Sequence, residues 1–302
     1  MTTFRDIAWA KVNLTLRVLG RRADGFHEIE SLVAFAGIGD TVELAPQDGL
    51  GLSAEGPFAA ALNSDNLILA AAQAAKAQMP GLILGRFRLV KTLPVAAGLG
   101  GGSADAAAAL RLIAKANPGA FTDAVAAGLA PRLGSDVAVC LASEPALITG
   151  RGEVVRAVGG FPFCGVLLAN PGLLLATADV YEALHAPPLA LPPSPPAPPD
   201  FAGAFRKLLD YVGPRGNDLE SAATRLAPEI ADVLAALRAL PGAQLARLSG
   251  SGPSCFALFA TPLEAHRAAE MLAERQPDWW IAASELGDPA AQTTAPSRQN
   301  VQ

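Results

Sequence analysis

Residues 94–110, PVAAGLGGGSADAAAAL, hold four glycines in five positions (Gly98, Gly100, Gly101 and Gly102) and run straight into an alanine-rich segment with no breaker before Asn117-Pro118. The segment just before, residues 86–91, alternates and reads as a strand, while the alanines at 104–109 have the highest helix propensity. A linker would carry glycine and serine without flanking structure. The dinucleotide fingerprint GxGxxG needs a glycine where Ser103 stands, and a Walker loop needs a lysine that is absent. What survives is a strand, a glycine loop and a helix start. Glycines permit positive φ, so successive amides can converge on one anion, and the helix dipole favours negative charge there. Ser103 can cap that helix, or turn its hydroxyl to a phosphate or a phosphate-bound cation.

The chain has 302 residues and a formal net charge of −5, enough length for a large core and no basic surface for nucleic acid or anionic membrane. An acidic protein must therefore bind anions locally, with amides and a few cations. Cys140, Cys164 and Cys255 are odd in number and far apart, which argues for reduced thiols, and no CxxC or histidine cluster suggests a structural metal. Arg5, Asp6 and Lys11 precede any long apolar run, which argues against a signal peptide. No uncharged apolar segment is long enough for a spanning helix. These features lead to the expectation of a soluble cytoplasmic protein.

Apolar, extended patterns at 8–19, 28–36 and 41–44 predict strands, with a polar turn at 20–25. A helix is expected at 65–78 with Ser64 or Asp65 as its cap, another at 121–130, and a strand at 137–141. Beyond 161 the pattern predicts a strand at 165–169, several helices between 177 and 240, strands at 244–248 and 255–260, a helix at 261–274 and a last strand at 279–284. Residues 187–199 carry eight prolines in thirteen positions and read as an extended surface loop, with a proline-rich partner ligand as the lesser reading. Residues 287–302 are polar and aperiodic and read as a frayed tail. Strands and helices out of strict alternation favour an α+β protein of two lobes, residues 1–160 and 161–286.

Pro94-x-x-x-Gly98-Leu99-Gly100-Gly101-Gly102-Ser103-Ala104 resembles the phosphate-binding motif of the GHMP small-molecule kinases. Two further segments are similar to the branch of that superfamily that phosphorylates 4-diphosphocytidyl-2-C-methyl-D-erythritol: the opening AKVNLTLRVLGRRADGFHEIESLV, and LSGSGPSCFALF at 248–259. The resemblance covers most of residues 8–285. It implies a two-lobed fold, with an N-terminal lobe like ribosomal protein S5 and a C-terminal ferredoxin-like lobe. It also implies ATP and Mg2+ as cofactors, an acceptor carrying cytidine diphosphate, and action as a monomer or weak homodimer. Another GHMP kinase, for homoserine, mevalonate or a sugar, stands as the alternative, as does a non-catalytic sensor. The Arg22-Ala23-Asp24-Gly25-Phe26-His27 turn and the retention of Lys11 and Asp136 argue against them.

By that resemblance Asp136 is the general base and Lys11 the cation that keeps it ionised. Taken alone, Asp136 would be as readily a loop cap as a base, and Lys11 a solvated edge lysine. ATP would be held by Pro94, Gly98, Leu99, Gly100, Gly101, Gly102, Ser103 and Ala104, with Asn66 and Lys91 touching adenosine or phosphate. The substrate would meet Asn13, Asp24, Phe26, His27 and Thr177, with Phe26 stacking and His27 at the base edge. The turn Ser249-Gly250-Ser251-Gly252 would close over the diphosphate or support the first loop; a tight hairpin is its plainer reading. His185, His266 and the cysteines are read as structural. The chain departs from the family pattern at Ser135, Ala138, Phe26 and Thr92, and no residue set resembles a carboxylate cage for magnesium.

Overall fold

The computed structural model describes residues 2–62, 66–191 and 194–289. Its spine is β3 (His27–Pro46), a 20-residue strand that merges two segments expected as separate strands. Along its length β3 pairs antiparallel with β1 (Phe4–Asn13), β2 (Arg17–Arg21), β5 (Gly85–Val90), β6 (Ala146–Gly150) and β11 (Trp280–Gly287). Buried residues on both faces explain why it reads as a near-continuous apolar run between Leu32 and Ala36. The expected single strand at 8–19 breaks instead at Leu14–Leu16, where Ser31 and Thr15 replace ladder bonds with side-chain bonds.

Four helices cover one face of the first half: α1 (Leu67–Gln78), α2 (Gly101–Ala116), α3 (Asp123–Leu133) and α4 (Val137–Ala142). Their shared core joins Phe35, Val42, Leu44, Phe87 and Leu89 of the sheet to Ile68, Leu110, Ile113 and the buried alanines of α2. Alanines at 104 and 106–109 allow α2 to lie close over β1, since each side chain adds little thickness. The strand expected at 137–141 is α4. Five apolar residues carry no period that separates strand from helix, and packing against α2 decides the matter. Helix α1 starts at Leu67 with Asn66 as its cap, the Asn66 side chain accepting from Ile68 N at 2.8 Å; Ser64 and Asp65 lie outside the described residues.

Strand β4 (Gly51–Glu55) runs parallel to β5 at one edge and β7 (Val154–Ala157) pairs with β6, while the sheet continues from β3 through β11 to β8 (Cys164–Asn170), β10 (Cys255–Phe259) and β9 (Leu245–Leu248). Helices α5 (Thr177–Leu184), α7 (Glu220–Leu226), α8 (Glu229–Arg238) and α9 (Pro262–Arg275) bury these strands from one side, and α6 (Phe205–Val212) contributes Leu208 and Val212 to a core on the other. Helix α9 opens with a capping box between Thr261 and Glu264. The described part of the proline segment is tied to the sheet at both ends: Pro187 and Leu189 bond the backbone of Arg21, and Pro199 and Phe201 bond Gly159. No described helix is long and apolar enough to cross a membrane.

Candidate active site

A bulge in β1 sets the site. The register with β3 shifts between Trp9 and Lys11, so Ala8 packs under the helices whereas Ala10 and Val12 join the opposite core. Lys11 and Asn13 are thereby turned toward a cavity of about 1250 Å³ between the two halves of the chain. Without the extra residue the alternation would send them to the other face. Lys11 Nζ lies 2.7 Å from Asp136 Oδ2, at the start of α4. The lysine side chain is buried and the aspartate is partly open to the cavity, so a cation and a proton acceptor share one wall.

The glycine loop forms the next wall. Gly98 and Gly100 have φ of +72° and +65°. A Cβ on Gly100 would press on the Lys11 side chain, 3.2 Å from Cε, so the missing side chain makes room for that lysine. A Cβ on Gly98 would collide with the Ser249 carbonyl oxygen and lie 2.8 Å from Gly252 N. The two glycine turns therefore interlock, with Ser249 Oγ donating to Gly98 O at 3.0 Å and Asn13 N donating to Ser249 Oγ at 3.2 Å. Helix α2 begins at Gly101 with Gly100 as its cap and no side-chain acceptor on its first amides. Gly101, Gly102 and Ser103 line the cavity, and their free amides make a ready cradle for phosphate. Ser103 is not the cap; it sits in the first helical turn and lines the cavity.

Beneath the loop, Lys91 Nζ is bonded at 2.6 Å to both Asp40 Oδ2 and Asp105 Oδ2, all three buried. Burial pulls the lysine down, but the two carboxylates outweigh it and hold Lys91 above its ordinary value. Burial pushes Asp105 up to about 7, against the pull of Lys91. Lys91 thus pins β3 and α2 together and lines the cavity only from below. Because the native state keeps a proton on Asp105 that the unfolded chain has lost, stability attributable to this group falls as pH rises from about 4 to about 7. Asp105→Asn should gain on the native protein across that window. The difference between the two melting temperatures should widen from pH 4 to 7 and then level, and a pH-independent difference would contradict the assignment.

The far end of the cavity is aromatic. His27 stacks on Tyr181 at 4.7 Å between centroids and 28° between planes. Burial and the charge of Arg21 lower the His27 pKa, so at neutral pH the ring is an uncharged donor and acceptor. Phe26 is half exposed, with the Arg151 guanidinium 4.6 Å from its centroid. Thr177 Oγ1 and Ser251 Oγ, 2.9 Å apart and both from the second half of the chain, form another side of the cavity.

Most residues expected at the site converge here; some stand behind it. Leu99 and Ala104 are buried in the two cores, with Leu99 O accepting from Lys11 N. Asp24 accepts from Phe26 N and Arg22, shaping the turn rather than facing the cavity. Ser249 and Gly252 hold the first loop, while Gly250 and Ser251 line the cavity. Asn13 Nδ2 donates to Ser31, and its Oδ1 is buried without a partner.

The family models for the GHMP kinases N terminal domain and GHMP kinases C terminal match residues 66–144 and 201–278. The 4-diphosphocytidyl-2-C-methyl-D-erythritol kinase of Parvibaculum lavamentivorans is 46% identical over 284 residues, 93% of this chain and 98% of the relative. That of Methylobacterium radiotolerans is 48% identical over 292 residues, 95% and 100%. The chain belongs to the 4-diphosphocytidyl-2-C-methyl-D-erythritol kinase family. A crystal structure of 4-(cytidine 5'-diphospho)-2C-methyl-D-erythritol kinase is similar at TM-score 0.74 and 34% identity, covering 94% of this chain and 99% of that one. A homoserine kinase from Cytophaga hutchinsonii, 20% identical at TM-score 0.68 with 95% and 96% covered, shares the fold.

The fold is thus the α+β GHMP kinase fold, and the enzyme is a small-molecule kinase. Sequence reasoning missed several residues of this kinase's cavity, Tyr181, Arg151 and Asp105 among them, and read as structural His185, which also lines it. Tyr181 was signalled by its place four residues after Thr177, which puts both on one helix face. Arg151, between Gly150 and Gly152, resembled an ordinary turn residue. Asp105 looked like one more position of an alanine helix. At Ser135 and Ala138, where the chain departs from the family pattern, the first lines the cavity and the second packs against the helical core.

Proposed function

We propose that the chain transfers the γ-phosphoryl group of ATP to the C2 hydroxyl of 4-diphosphocytidyl-2-C-methyl-D-erythritol, in the non-mevalonate route to isoprenoid precursors. The observation that carries this reading is the Lys11–Asp136 pair, set in one cavity between an amide cradle and an aromatic pocket. ATP's phosphates lie on the amides at the start of α2, with Asn66 at the mouth of the same cavity. The cytosine lies against Phe26, His27 and Tyr181, which places the acceptor hydroxyl at Asp136. Its oxygen attacks the γ-phosphorus, the bond to the β-phosphate oxygen breaks, ADP leaves, and the proton passes to Asp136. Lys11, 2.7 Å from that carboxylate, offsets charge on the transferring group.

Magnesium bound with the nucleotide would neutralise phosphate charge. No cluster of three or more metal-ligating side chains occurs among the described residues. Ser103, whose hydroxyl is a hard oxygen donor, lines the cavity beside the cradle and would help to hold the ion. The three cysteines are buried free thiols, as suits a reducing cytoplasm.

Phosphorus NMR of the product tests the reading. A new phosphomonoester resonance should accompany two unchanged diphosphate resonances; a product with an altered diphosphate would contradict it. Tyr181→Ala should raise the acceptor KM about tenfold, since a lost base stack is worth roughly 1–3 kcal/mol. The ATP KM should stay within about twofold in steady-state kinetics.

A further inference from the structure

We propose that Arg151 reads the diphosphate of the acceptor and so distinguishes a nucleoside diphosphate from a bare nucleoside. This rests on the acceptor reading above. With the base against Phe26, His27 and Tyr181 and the hydroxyl at Asp136, the diphosphate has to cross the gap between them. Arg151 stands in that gap and lines the same cavity. Its guanidinium lies over the Phe26 ring at one end of the gap. The next residue, Gly152, adjoins the catalytic aspartate at the other: a Cβ there would lie 3.3 Å from Ser135 O and 3.6 Å from Asp136 Oδ1.

The cations of the cavity are unequally available. Lys11 is held by Asp136, and Lys91 by Asp40 and Asp105. Arg151 has only Glu153, at 3.9 Å, and that carboxylate already accepts from the Arg151 backbone N at 2.5 Å. The guanidinium donors are therefore unused among the described residues. A planar fork with free donors suits two adjacent phosphate groups better than a lysine would.

The side chain is also presented by a rigid turn. Gly150 and Gly152 have φ of +76° and +121°, and Gly152 N closes the turn on Thr149 O at 3.2 Å. A Cβ on Gly150 would sit 2.8 Å from Glu153 Oε2, so the turn depends on glycine for its shape. Stacking on Phe26 fixes the guanidinium plane without consuming its donors. Arg21, across β2 from His27, supplies a second positive charge at the cavity mouth.

The test is calorimetric titration of cytidine and CDP into the whole protein, with a non-hydrolysable ATP analogue saturating the nucleotide cradle. The native protein should bind CDP more tightly than cytidine. Arg151→Gln should weaken CDP by about 10–30-fold, the scale of lost charge-assisted bonds, and cytidine by less than about threefold. Arg151→Lys should fall between them for CDP, because it keeps charge but loses the fork. Equal weakening of both ligands would mean that Arg151 only props Phe26, and unchanged CDP affinity would place it outside the acceptor site; either result overturns the proposal. A native protein that binds neither ligand would overturn the acceptor reading itself, before any variant is made.

Discussion

Asp136→Asn should lower kcat by roughly 10²–10⁴-fold while the KM values for ATP and acceptor stay within about threefold. Asparagine keeps the shape and can still accept from Lys11 Nζ, so the wall of the cavity survives. It cannot take the hydroxyl proton. A fall of that size in kcat with little movement in KM marks a group that acts in the transition state rather than in binding. Near-normal turnover would remove Asp136 from the role of base, and a loss confined to KM would make it a binding group. The pair can also be approached from the other side. A Lys11→Met variant should also lose kcat, because it leaves the charge on the transferring phosphoryl group uncompensated.

The largest effect on stability should come from Gly98→Ala. A methyl group there meets backbone, the Ser249 carbonyl oxygen and Gly252 N, which cannot swing away as a flexible side chain would. The position also has φ of +72°, disfavoured for alanine. The two costs together should exceed about 3 kcal/mol, a fall in Tm on the order of 6 °C for a chain of this size. Two other glycines separate the contributions. Gly119 has φ of +78° and open space around its Cβ position, so Gly119→Ala should cost only the backbone strain, about 1 kcal/mol. Gly81 has open space and no positive φ, and Gly81→Ala should be nearly neutral. Thermal melts of the three variants order them. If Gly98→Ala melts with Gly119→Ala, the two glycine turns do not interlock as described.

Residues with a local reason were visible in the sequence, and residues brought together by topology were not. The glycine loop announced itself because strand, glycines and alanine helix follow one another without interruption. Lys11 drew notice from its neighbours Ala10 and Asn13, but nothing local revealed the bulge at Trp9–Lys11 that aims it. Lys91 shows the limit from the other side. Alternation placed it as the last residue of a strand, which in the structure ends one residue earlier at Val90, and a free ammonium near a phosphate loop suggested a phosphate contact. Its partners Asp40 and Asp105 are 51 and 14 residues away, and only the fold shows that they close around it. Residues 137–141 went to the wrong state for a related reason, since a five-residue apolar run takes its conformation from what it packs on. Arg151 was hidden by an ordinary turn, although the glycines on either side of it hinted at unusual backbone.

Acceptor choice is the decisive measurement, because a base-bearing acceptor needs the aromatic end of the cavity whereas homoserine, mevalonate or a simple sugar has no base to stack there. ADP release should be measured with a panel of 4-diphosphocytidyl-2-C-methyl-D-erythritol, homoserine, mevalonate and simple sugars, each with ATP and magnesium. The account predicts turnover with the cytidine-bearing acceptor and background rates with the rest. Turnover with homoserine or mevalonate, and none with the cytidine-bearing acceptor, would contradict it.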